Sequence, residues 1–101
     1  MKKSIPDDIQ LIKLIVQAQS DALNELYDRY NRLVFSVACA IVGDKNVAEE
    51  ITLDVFVQVW KHAVTYQPDR AKVSTWLIAI TRHHAIDILR WQRSRPETDS
   101  L

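Results

Sequence analysis

One glycine and three prolines in 101 residues leave little to interrupt a helix, and apolar residues recur at steps of three and four through the long stretches between them. Strand-like alternation of period two is absent, so the chain is read as all-α. The length supports one modest core, and the break points divide it into a compact bundle of about four helices.

A first helix is expected from a cap at Ser4, with Pro6, Asp7 and Asp8 in its first turn, to about Ala18; Ile9, Ile12, Ile15 and Val16 form its apolar stripe. Ser20 is the expected cap of a second helix, in which Leu23, Leu26, Tyr27, Tyr30, Val34, Val37, Ala38 and Ile41 keep helical spacing up to Gly43. Gly43 ends that helix and Asp44 caps the next, over roughly Lys45 to His62. There Ala48, Ile51, Val55 and Val59 define a core stripe widened by Phe56, Trp60 and Ala63. Pro68 bars helix through Gln67, so Tyr66 to Lys72 reads as an ordered loop. The last helix, about Val73 to Arg93, turns Val73, Trp76, Leu77, Ile80 and Ile88 toward the core.

Two faces are not explained by the core. On the third helix Glu50, Leu53, Asp54, Val57 and Lys61 share the outer side, where carboxylates mixed with apolar side chains suit a partner surface. The competing reading packs Leu53 and Val57 under the first helix. On the last helix Arg82, His83, Ile86, Arg90 and Arg93 lie opposite the core, with Arg70 and Lys72 in the loop before it. That one-signed arc suits a phosphate track; the plain alternative is a solvated basic face.

Overall charge does not decide between these. Thirteen Lys and Arg balance thirteen Asp and Glu, but residues 1–60 carry six basic and nine acidic side chains while 61–101 carry seven basic and four acidic. An anionic partner is expected at the C-terminal part. Cys39, the only cysteine, excludes an intrachain disulfide and any paired-thiol zinc set, and is expected to be a buried, structural thiol in a cytoplasmic protein. The basic start runs at once into Asp7 and Asp8, and no apolar run is long enough to export or span, so neither a targeting segment nor membrane insertion is expected. No enzyme, metal or cofactor is expected either. His62, His83, His84, Glu49, Glu50, Asp54 and Asp87 match no ligand or catalytic spacing, and adjacent helical histidines diverge by about 100°.

Taken in order, Leu26-Tyr27-Asp28-Arg29-Tyr30, Arg32-Leu33-Val34-Phe35, Gly43-Asp44, Ala48-Glu49-Glu50, Asp54-Val55-Phe56, Val59-Trp60, Thr75-Trp76-Leu77-Ile78-Ala79-Ile80 and Ala85-Ile86-Asp87 resemble the second region of extracytoplasmic-function (ECF) bacterial sigma factors. The similarity runs over about residues 20–93. It implies a domain, residues 1–95, that binds core RNA polymerase and melts the promoter −10 element, followed by the start of a linker over 96–101. The family's second DNA-binding domain, which reads the −35 element, is not in this chain.

By that resemblance the third helix docks on the coiled coil of the polymerase β′ subunit through Glu50, Leu53, Asp54, Val57, Gln58 and Lys61. The loop containing Tyr66, Arg70 and Lys72 pockets a flipped base, while Arg82, His83, Arg90 and Arg93 follow the non-template strand. An anti-sigma factor is a further partner the family implies. Two positions depart from the family's pattern: Leu53 stands where glutamine is usual, and His83 where asparagine is usual. The alternative function is a helical protein-binding regulator of the same fold without DNA contact.

Overall fold

The computed structural model describes residues 6–94. Four α-helices follow in order, with no strand among the described residues: α1 (Asp8–Val16), α2 (Ser20–Val42), α3 (Lys45–His62) and α4 (Val73–Ser94), with a single 3₁₀ turn, Ala63–Thr65, after α3. The all-α bundle expected from the sequence is the fold observed. The expected Ser4 cap, the boundary at residue 95 and the linker over 96–101 lie outside the described residues.

α2 is the central element, packing against each of the other three helices. Its fully buried Leu26, Val34 and Ala38 meet Ile51, Val55 and Val59 of α3 and Leu77 and Ala85 of α4 in one core. Alanines at 38, 48 and 85 let the helix backbones approach closely. Two threonines are buried with them, and neither leaves an unmet polar group: the Thr52 hydroxyl donates to the Ala48 carbonyl at 2.8 Å and that of Thr81 to the Leu77 carbonyl at 2.7 Å.

The helix ends follow local chemistry. Gly43 adopts φ 71°, the left-handed cap that a residue without Cβ takes at least cost, and its N–H donates to the Cys39 carbonyl at 2.8 Å. Asp44 then accepts from the N–H groups of Asn46 and Val47, at 2.8 and 3.2 Å, which starts α3 where the sequence places it. α1 begins later than expected. Asp7 is its N-cap, completing a reciprocal capping box with Gln10, so Pro6 and Asp7 precede the helix instead of filling its first turn. The helix ends at Val16, and Ala18 takes a left-handed φ of 61° as the Gln19 N–H closes back on the Leu14 carbonyl at 3.0 Å. Ser20 is the first residue of α2, with Gln19 in the cap position and no side-chain cap bond.

Burial differs from the expectation at several residues, among them Ile9 and Val16 of the α1 stripe, which are exposed. Trp60 is 38% exposed, because its position on α3 turns it to the rim beside α2. Trp76, Ile80 and Ile88 are half-buried; the inner line of α4 is Val73, Leu77, Thr81 and Ala85. Cys39 packs against the core but is half-buried.

α1 is fastened to α2 by a polar cluster that periodicity alone does not reveal. The Tyr30 hydroxyl donates to one oxygen of Asp8, and Arg29 donates to the other at 3.0 Å, to the Pro6 carbonyl at 2.6 Å and to Glu25 at 3.1 Å. Burial, then the hydrogen bond and charge of Asp8, push the Tyr30 phenol from its usual 10 up to about 12. The fold therefore favours the neutral phenol. Its stabilising share is complete below pH 10 and is lost as pH rises through about 12. In a spectrophotometric alkaline titration, Tyr30→Phe is expected to remove the last tyrosinate step; an unchanged high-pH step places that group elsewhere.

Candidate functional site

The outer face of α3 is free. Leu53 is 57% and Val57 46% exposed, with exposed Glu50, Asp54 and Lys61 around them and Gln58 half-buried at the edge. This removes the reading in which Leu53 and Val57 pack under the first helix. The face also extends beyond α3. Ser20, Leu23 and Tyr27 of α2 join Leu53, Phe56, Val57 and Trp60 around an apolar depression of about 380 Å³, floored by the edge-on contact of Tyr27 with Phe56, centroids 5.0 Å apart. Helical spacing puts Leu23 and Tyr27 on the apolar stripe of α2 and Trp60 on the core stripe of α3; spacing alone does not separate the rim of a stripe from its centre. Their half-exposure beside Leu53 is the signal of a groove.

The loop between α3 and α4 folds over its own tyrosine. Tyr66 is only 8% exposed, tilts against Trp76 at a centroid distance of 5.1 Å, and donates its hydroxyl to the Ala71 carbonyl at 2.6 Å. Burial, then the negative charge of Asp8, raise its phenol above the usual value. In this arrangement little of Tyr66 is open to solvent. It fixes the loop, which the Arg70 N–H tightens further by donating to the Gln67 carbonyl at 3.0 Å.

Beside that loop lies a cavity of about 510 Å³, in which Tyr66, Pro68, Lys72, Val73 and Ser74 face the N-cap Asp7, Asp8 and Ile9 of α1, and Arg29 and Tyr30 of α2. The far wall is missing from the sequence-based site. Its only trace there is the Leu26–Tyr30 run, whose Arg29 and Tyr30 supply the wall while Leu26 supplies core. Arg70 is exposed and does not line the cavity.

On α4, Arg82, His83, Arg90 and Arg93 are all exposed, and none of the three arginines is in an ion pair among the described residues. His83 contacts Asp87 at 3.3 Å and also edges a groove of about 540 Å³ between α3 and α4, with Gln58, His62, Trp76 and His84. The histidines do not converge with carboxylates or the thiol into a metal-binding group among the described residues.

The sigma-70 region 2 family model matches residues 26–95. The chain belongs to that family. Its relatives are ECF RNA polymerase sigma factors, and the chain is a region 2 of that type. It is 28% identical to SigK of Mycobacterium sp. (strain KMS) over 90 residues, covering 89% of this chain and 47% of SigK. It is 35% identical over 69 residues to SigX of Bacillus subtilis, covering 68% of this chain and 35% of SigX. Over 54 residues it is 44% identical to RpoE of Cereibacter sphaeroides, covering 54% of this chain and 29% of RpoE. The chain thus spans half or less of the length of these relatives. No solved structure matches it. The matched segment begins within α2, so the α1 wall of the loop cavity lies outside the part the family model describes. No helix among the described residues is long and apolar enough to cross a membrane.

Proposed function

We propose that residues 1–95 form a sigma region 2 domain that docks on core RNA polymerase and holds the −10 element open during transcription initiation, in the cytoplasm. The observation that carries the docking half is the exposed Leu53–Val57–Trp60 surface ringed by Glu50, Asp54 and Lys61. An apolar centre with a charged rim is the anatomy of a protein interface, and the apolar depression against α2 gives it a pocket for an anchoring side chain of the β′ coiled coil. Leu53, in place of the family's usual glutamine, exchanges a hydrogen bond for apolar contact. An anti-sigma factor that blocks docking would cover the same face.

The domain performs no covalent chemistry in this reading. Melting is favoured by whatever the unpaired strand gains from the protein, and two features supply that gain. The loop cavity accepts an unstacked base between Lys72 and the Asp8–Arg29–Tyr30 wall, with Tyr66 keeping the loop in place from beneath. Arg82, Arg90 and Arg93 neutralise successive phosphates along α4, with Arg70 and Lys72 at the entry to the track; His83, at the boundary of arc and groove, is placed to read a base. A zero formal net charge makes free-domain DNA binding weak, so useful affinity arises when core polymerase presents the strand at high effective concentration.

The test is the salt dependence of binding to single-stranded −10 DNA by the polymerase-bound domain. Arg82→Ala or Arg90→Ala should reduce the slope of log affinity against log salt by about one unit for any sequence, whereas His83→Asn should change preference at one base. Slopes and preferences identical to the unaltered protein would make α4 a solvated face and favour the protein-only function.

A further inference from the structure

The contact between His84 and Asp54 joins the two proposed working helices. His84 Nε2 of α4 lies 3.3 Å from Asp54 Oδ2 of α3, and it is the one His–carboxylate contact between helices among the described residues. The two partners differ in exposure. His84 is 30% exposed, held in the α3–α4 groove beside Gln58, His62, Trp76 and Ile80, while Asp54 is 57% exposed on the outer face of α3. His83 offers a contrast: 82% exposed, it meets only Asp87 on its own helix.

We infer that His84 is a positioning residue for polymerase docking, holding the Asp54 carboxylate by Oδ2 so that Oδ1 is presented to a basic donor of the partner. The inference rests on the reading of Asp54 as a docking residue. An exposed aspartate samples several rotamers and must be ordered when a partner pairs with it, a cost that falls on binding. A half-buried imidazole whose Nε2 lies 3.3 Å from Oδ2, on the wall of the α3–α4 groove, restricts those rotamers before the partner arrives. In the free domain so exposed a pair adds little stability. The effect of losing it therefore belongs to polymerase affinity, where a packing role for His84 would leave no specific mark. Glu50, on the same face, is in no ion pair among the described residues and lacks such a fixed partner.

A double-mutant cycle on the intact chain with core RNA polymerase tests this. His84→Ala is expected to bind core about three- to tenfold more weakly with its unfolding midpoint unchanged. In an Asp54→Ala background the same change should have no further effect, and His84→Gln, which keeps an N–H donor at a similar reach, should recover most of the loss. Unaltered or tighter binding of His84→Ala, or a loss that persists when Asp54 is already alanine, overturns the inference while the docking reading stands. If Asp54→Ala itself binds core like the unaltered chain, the docking role of Asp54 fails and the inference fails with it.

Discussion

Leu26→Ala is expected to lower the free energy of unfolding by about 2–5 kcal/mol, the range for emptying a leucine site in a packed core. Leu26 has no exposed surface, and it sits on α2, the helix against which α1, α3 and α4 all pack. Its loss leaves a void inside the shared core. A domain of this size has roughly 5–15 kcal/mol of stability in all, and each kcal/mol moves its midpoint by about 4–8 °C, so a fall of about 10 °C or more is expected. Thermal and urea unfolding followed by circular dichroism read it directly. A change below about 0.5 kcal/mol would mean that α2 is not the centre of the bundle. Leu23→Ala, on the half-buried rim of the same helix, serves as the control and should cost clearly less.

Asp54→Lys is expected to weaken binding to core polymerase by about 1–3 kcal/mol while the fold survives. The position is more than half exposed, so the new side chain meets no packing conflict in the free domain. The consequence lies in the complex: a cation replaces a carboxylate at the edge of the Leu53–Val57–Trp60 surface, and its complementary donor on the partner faces a like charge. Titration of labelled protein with core polymerase measures the affinity, and circular dichroism verifies the fold. Unchanged affinity with an unchanged spectrum would remove this face from the docking account.

Much of this architecture is legible in the sequence because it is local. Gly43 and Asp44 mark a helix end and start through their own backbone and side-chain chemistry, and Pro68 marks the loop; the ends of α3 and the start of α4 fall where these residues put them. The apolar–acidic face of α3 and the basic arc of α4 are likewise matters of angular position on one helix, and both are exposed as read. What escaped is tertiary. Spacing marks Tyr30 as an apolar-stripe residue, and nothing local says that its hydroxyl meets Asp8 across the first turn of α1 or that Arg29 fixes the same carboxylate. Tyr66 reads as a loop aromatic open to a base; only the fold turns it inward onto Trp76. Trp60 and Ile88 carry core-like spacing, yet their burial depends on how far the neighbouring helices reach across them. Pro6 suits a first helical turn, but Asp7 and Gln10 form a better cap three residues after Ser4.

Engagement of core RNA polymerase and capture of an unpaired −10 strand, as proposed above, can be read in one experiment. The purified chain, mixed with core polymerase and fluorescent single-stranded −10 DNA, is to be resolved by size-exclusion chromatography beside the Asp54→Lys variant. The chain is expected to co-elute with core and to carry the DNA into that peak, and the folded variant to co-elute clearly less. A folded, unaltered chain that elutes wholly apart from core polymerase would contradict the proposal.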